Sequence, residues 1–335
     1  MVGYVGLIAL VATIVAVAQL RRWAVGMGWI YRPRSDRWEP KFNPHPRTIA
    51  LGGGLGIAAG TLSALLLWAL LNGSALWLRA MPFALGALLL GLVDDLRDCS
   101  ARLKLLAQFI LGVATALGVV RLAGFSDGIS VPLTAFCAVA LMNAVNMMDN
   151  MDGVASGLVT LAALGFALLG FLTANPLVTG AGLILAAGSF GFWLFNKPPA
   201  TVFMGDTGSL LLGYLLAVLG VTATHGEYPH IAARLFAPAL MVGSFWADMA
   251  FVVLWRLTHG LPLMKGDRNH LSHRLAVRFG RSEWRANFAL YSLQTAFCLC
   301  GLVVALAPPL AVAITLFIAL LIALVLFAAL WRVVP

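Results

Sequence analysis

An all-α, polytopic membrane protein of about eleven transmembrane helices is the fold that the sequence predicts. Hydrophobic residues make up 61% of the chain and charged residues only 10%, the mean hydropathy is +0.94, and apolar runs recur from one end to the other. A chain of 335 residues could not hide that much apolar surface in one soluble core. A spanning helix needs about 20 mostly apolar residues. Such runs fall at 2–20, 49–71, 75–93, 103–123, 129–148, 154–174, 177–195, 208–224, 233–255, 288–307 and 310–331.

The first run ends in Ala16, Val17 and Ala18, which imitate a signal-peptide cleavage site, but no positive charge precedes it and Arg21 and Arg22 follow. That order reverses a signal peptide and predicts a retained helix with its N-terminus outside. Placing the 21–48 loop in the cytoplasm puts nineteen Lys and Arg residues on that side. Only Arg79, Arg121 and Arg234 fall on the other. This asymmetry sets the orientation, leaves the C-terminus cytoplasmic and explains most of the net charge of +9 without any anionic substrate. The chain 1–335 then reads as a single integral membrane domain with cytoplasmic loops near 21–48, 94–102, 149–153, 196–207 and 256–287. The four cysteines show neither a disulfide framework nor zinc spacing and read as small apolar fillers.

Four polar clusters interrupt the spans, all on the same predicted face. Asp94, Asp95 and Asp98 close the third span within about one helical turn, where repulsion favours a bound cation; a solvated helix end is the plainer reading. Asn143, Asn146, Asp149 and Asp152 recur every third residue, so a helix would turn them toward one cavity, although Asn, Asp and Gly153 also suit a turn. In the run Phe203 to Ser209, Asp206 could hold a metal ion, Phe203 could stack on a base, and the amides opening the next helix could receive phosphate oxygens. The same residues would serve as a helix cap. In the 256–287 loop, His270 and His273 stand at i and i+3, a spacing that could bind a metal, but beside Arg268 and Arg274 the grouping better suits donating hydrogen bonds to a diphosphate. Asp248, buried in the ninth span, needs a partner and is expected to anchor a loop.

In this order on one face, the clusters resemble the polyprenyl-phosphate N-acetylhexosamine-1-phosphate transferases of glycosyltransferase family 4, from Gly52, Gly53 and Gly54 to the histidine loop. The resemblance implies transfer of a sugar 1-phosphate, N-acetylglucosamine first, from a UDP-sugar to undecaprenyl phosphate with release of UMP. It also implies Mg²⁺ (Mn²⁺ as a substitute), a plasma-membrane location with the site in the cytoplasm, and the first membrane step of cell-envelope glycan synthesis. A homodimer is compatible with it, and no nucleic-acid partner is expected.

By the same resemblance, Asp94 and Asp95 lie beside the reacting phosphates, with Asp94 as base, nucleophile or metal ligand, and Asp206 is the principal metal ligand. Asn146, Asp149 and Asp152 match a motif near the nucleotide, Asp149 counting among the catalytic acids. Phe203 matches an aromatic at the uracil, Lys104 a lysine near the diphosphate, and His270, His273 and Arg274 the histidine and arginine loop. Ser272, where a middle histidine is common, and Asn150 and Met151 depart from the pattern and bear on sugar preference. Two rival readings are an ion-coupled transporter, which would place its acids near the midplane, and a membrane prenyltransferase, which would carry two similar aspartate-rich motifs.

Overall fold

A computed structural model describes residues 2–31, 48–263, 267–333 and 335. Arg32, Arg34, Arg37, Lys41, Arg47 and Lys265, counted above among the orienting charges, lie outside the described residues. The chain folds into α1 (Val2–Gly26), α2 (Gly53–Leu71), α3 (Ala75–Arg97), α4 (Ala101–Gly118), α5 (Asp127–Met148), α6 (Val154–Leu172) and α7 (Pro176–Asn196). It continues through α8 (Gly205–Ala223), α9 (Ile231–Leu240), α10 (Gly243–Thr258), α11 (Leu271–Arg278), α12 (Glu283–Leu306) and α13 (Pro309–Leu330).

Ten of these helices are long and apolar enough to cross a membrane. The ninth predicted span is broken: α9 and α10 meet at 77°, and counted as one span the bent pair makes up to eleven. Pro238 removes a backbone donor just before the break, and Gly243 just after it lets the Phe297 ring approach to where a Cβ would lie only 2.4 Å from it. Gln294, fully buried on α12, supplies the missing hydrogen bonds: its Nε2 donates to the Met241 carbonyl at 2.7 Å and its Oε1 accepts from the Ser244 amide at 3.2 Å. Backbone groups freed at membrane depth must be satisfied by protein in this way.

Helix α8 is the hub and is almost wholly buried, whereas α13 is mostly exposed and its Phe317, Leu320 and Leu324 point outward as a lipid-facing side chain should. α3 approaches α8 closely because Gly91 has no side chain; a Cβ there would lie 2.2 Å from the Asp206 carbonyl oxygen.

The C-terminal ends of α3 and α5, the N-terminal ends of α4, α6 and α8, and α11 gather at one end of the bundle, as the hydrogen bonds below show. Short backbone ties lace two connections, α1 to α2 and α7 to α8, onto that end. Tyr31 N donates to Ile49 O at 2.8 Å, Phe203 N to Ala50 O at 3.0 Å, and Gly53 N to Phe203 O at 3.0 Å. The stretch 256–287, read as a loop, also contains the two-turn helix α11 and the start of α12.

Candidate active site

Two carboxylates and one ammonium form the centre. Lys104, one turn into α4, donates from Nζ to Asp94 Oδ2 at 2.9 Å and to Asp206 Oδ2 at 3.0 Å, joining the end of α3 to the start of α8. The second oxygen of Asp94 accepts from the Cys99 amide at 2.9 Å, and that of Asp206 from Asn146 Nδ2 at 2.8 Å. The same Asn146 amide reaches Ser209 Oγ at 2.9 Å, so α5 is pinned to the first turn of α8. Asp94, Lys104, Asn146 and Asp206, far apart in sequence, thus meet in one partly exposed cluster.

Asp95 stands beside this cluster, yet its carboxylate is turned to another task. Its oxygens accept from the backbone amides of Asp206 at 2.8 Å and Thr207 at 3.0 Å and from the Thr207 hydroxyl at 2.5 Å. α3 therefore caps α8 from outside. The helix-opening amides expected to receive phosphate oxygens are already engaged, because a neighbouring carboxylate reaches them first. Gly205, at φ +70°, makes room for this cap; a Cβ there would lie 2.6 Å from Asp95 Oδ2.

The three-residue register of Asn143, Asn146, Asp149 and Asp152 is not carried by one helix. α5 ends at Met148, so the last two leave the helical pattern. Asn143 turns to Gln108 Oε1 on α4 at 2.6 Å, and Asp149 takes the C-cap position of α5. Asp152, almost fully buried, accepts from the Ala200 amide at 2.7 Å. Asn146 bonds directly to the Asp94–Lys104–Asp206 group. The turn between α5 and α6 is clamped instead by residues that sequence reasoning passed over. Asn196 Oδ1 accepts from Gly153 N at 3.1 Å, Asn287 donates to the Asp152 carbonyl at 2.8 Å, and Tyr291 donates to the Gly153 carbonyl at 2.6 Å. Asn287 and Tyr291 are one helical turn apart on α12, a polar pair in an apolar run that could have been noticed.

Phe203, expected to face a base, is 4% exposed and packs with Ile49, Ala200 and Tyr31, whose ring lies edge-on at 5.2 Å. The backbone ties at Ala50 and Gly53 hold it inward.

The histidine segment is likewise tied to protein. Asp248 accepts from the Leu271 amide at 2.8 Å and binds His270 Nδ1 at 2.8 Å, so the acid inside α10 starts α11 and orients His270, the anchoring role expected of it. His273, fully buried, has Nδ1 3.1 Å from the Arg268 carbonyl and Nε2 3.2 Å from the Asn150 carbonyl. Ser272 donates to Asn150 Oδ1 at 2.6 Å, so two of the positions that depart from the family pattern bond each other. Arg274, also fully buried, donates to the carbonyls of Leu330 at 2.9 Å, Trp331 at 3.0 Å and Val333 at 2.6 Å. Its guanidinium stacks 3.9 Å from the Trp255 ring centre. His270, His273 and Arg274, the residues expected to grip a diphosphate, tie α11 to the turn after α5, to α10 and to the end of α13.

Burial, followed by the neighbouring His270, pulls the His273 imidazole down to about 4, outweighing the two carbonyls that favour its cation. The folded protein therefore holds this ring neutral, while the unfolded chain takes up a proton below about 6.5. Stability is expected to fall as pH drops from about 6.5 toward 4, by on the order of 3 kcal/mol from this group. Thermal melts of wild type and His273→Asn across that range would show a weaker acid dependence in the variant.

For a divalent cation the donor set fits in kind. Asp94 Oδ2 and Asp206 Oδ2 already converge on one cationic atom, and Mg²⁺ binds through one or two carboxylates with phosphate and water oxygens completing its shell. Among the described residues no cluster of three or more metal-ligating side chains exists, so substrate oxygens would have to supply the rest.

A membrane-embedded enzyme with an acidic and amide cluster at one face is the class that fold and site define. Residues 77–224 match the sequence profile of glycosyl transferase family 4. A decaprenyl-phosphate N-acetylglucosaminephosphotransferase of Mycobacterium tuberculosis is 30% identical over 322 residues, covering 86% of this chain and 78% of that protein. Its counterpart in Mycolicibacterium smegmatis is 29% identical over the same shares. A Bacillus subtilis protein named "Probable undecaprenyl-phosphate N-acetylglucosaminyl 1-phosphate transferase" is 26% identical over 311 residues, covering 89% of this chain and 83% of the relative. The chain belongs to glycosyl transferase family 4, with the polyprenyl-phosphate N-acetylglucosamine phosphotransferases. The transporter and prenyltransferase readings gain no support from these relatives.

Proposed function

We propose that the protein transfers N-acetylglucosamine 1-phosphate from UDP-N-acetylglucosamine to a polyprenyl phosphate such as undecaprenyl phosphate, releasing UMP, at the cytoplasmic face of a bacterial plasma membrane. The observation that carries this reading is the meeting of Asp94, Lys104, Asn146 and Asp206 at one end of a bundle with at least ten helices long and apolar enough to cross a membrane. The names of the relatives supply the sugar and the lipid. The excess of Lys and Arg in the loops at the same end supports a cytoplasmic site, an outside N-terminus and a cytoplasmic C-terminus.

A terminal oxygen of the lipid phosphate attacks the phosphorus that bears the sugar. The bond from that phosphorus to the bridging oxygen breaks, and UMP departs with that oxygen, leaving a lipid diphosphate sugar. Such a transfer needs alignment and charge neutralisation more than covalent help. A phosphate monoester with a second pKa near 6 is mostly a dianion at neutral pH, so a strong base is not required. Asp94 and Asp206 would hold Mg²⁺, or Mn²⁺ in its place, which neutralises the diphosphate when bound. Lys104 then balances the remaining charge at the reacting phosphates, and Asn146 fixes the Asp206 carboxylate in place.

Purified protein given undecaprenyl phosphate, Mg²⁺ and a panel of UDP-sugars is expected to release UMP with UDP-N-acetylglucosamine and to stop when EDTA removes the ion. Release of inorganic pyrophosphate from a prenyl diphosphate, or UMP release only with another UDP-sugar, would overturn the reaction or the sugar respectively.

A further inference from the structure

At the other end of the bundle a cavity of about 720 Å³ opens among the start of α3, the end of α4, the turn between α6 and α7, and the end of α8. Arg79, which lines it, stands roughly 22 Å along α3 from Asp94 at 1.5 Å per residue, so the cavity is remote from the cluster described above. Arg121 and His225 line it too, with Leu76, Leu117 and Leu177.

Cations are scarce on this face. Only three of the 22 Lys and Arg residues fall there, and two of the three meet in this one cavity. They do not serve orientation, since positive charge on this side opposes the asymmetry set by the other nineteen. Among the described residues Arg79 has no carboxylate partner. Arg121 pairs with Asp127 at 3.0 Å, but both are well exposed, and exposed pairs hold weakly enough to yield to a better anion. His225 Nε2 lies 2.8 Å from the Arg121 carbonyl and steadies that corner. Glu227, two residues on, does not line the cavity. Beside the basic rim, Leu117 is 67% exposed on the outer side of α4, where acyl chains would run. A basic rim joined to an apolar, lipid-facing wall suits an amphiphile better than a free ion.

We propose that this cavity binds the phosphodiester headgroup of an anionic phospholipid, with Arg79 and Arg121 holding the phosphate and Leu117 meeting the chains. The site is independent of the reaction proposed above. Native mass spectrometry of the full chain, released from detergent after incubation with phosphatidylglycerol, phosphatidylcholine or inorganic phosphate, tests it. One phosphatidylglycerol is expected to remain on the wild type, preferred roughly tenfold over phosphatidylcholine. The Arg79→Gln/Arg121→Gln double variant should lose that preference. Equal retention of the two lipids by the wild type, a comparison that needs no variant, would overturn the proposal, as would an undiminished preference in the double variant. Displacement of phosphatidylglycerol by equimolar inorganic phosphate would make the cavity a free-anion site and overturn the lipid assignment.

Discussion

Asp206→Asn is expected to cut UMP release by roughly 10²–10³-fold or more, the scale seen when a preorganised charge is removed from a transition-state site. Asp206 bonds both Lys104 and Asn146, so the substitution weakens the charge balance of the cluster and removes one of the two carboxylates proposed to hold the cation. The fold should survive, because an amide oxygen can still accept from Asn146 and α8 keeps its cap from Asp95. Asp95→Asn should behave in the opposite sense. It weakens a cap shared by two backbone amides and the Thr207 hydroxyl, at a cost of about 1–2 kcal/mol in stability, with a smaller loss of turnover. Measuring UMP release and the thermal midpoint in detergent for both variants separates the roles. Near-normal turnover in Asp206→Asn would remove it from the centre, and an Asp95→Asn protein as stable as wild type but inactive would move Asp95 into the chemistry.

The fold was legible because lipid imposes a single demand that sequence states openly: each crossing must be a long apolar helix. All eleven predicted runs overlap helices of the structure. The break at Met241 was not legible, since its remedy, Gln294, comes from a helix some fifty residues later and looks like any isolated polar residue. At the site, sequence placed the acids at one face but could not say which would face inward. Neighbouring Asp94 and Asp95 look alike in sequence; on α3 they point about a hundred degrees apart, one to Lys104 and the other to the α8 amides. The histidine segment shows what local sequence leaves out. Charged and polar residues at a predicted membrane surface suggest ligand contact; the structure adds that His273 and Arg274 are fully buried and held by backbone carbonyls that no local pattern reveals.

Arg274 makes that last point testable. Its guanidinium holds three carbonyls at the end of α13, bonds Asn269 Oδ1 at 2.7 Å and lies against Trp255 and Phe251. Burial, opposed by Asp267, lowers it to about 10, so it remains charged at neutral pH. Arg274→Ala would leave the helix end without its donor and free α11 from α13, a loss on the order of 3–5 kcal/mol that should lower the thermal midpoint and activity together. Arg274→Lys should recover little, because one ammonium cannot fork to three carbonyls and stack on indole at once. A residue that instead gripped the diphosphate would give another pattern: an unchanged midpoint, a raised KM for the UDP-sugar, and partial rescue by lysine. Melting curves and KM measured on the two variants therefore decide whether this arginine serves the architecture of the site or its substrate.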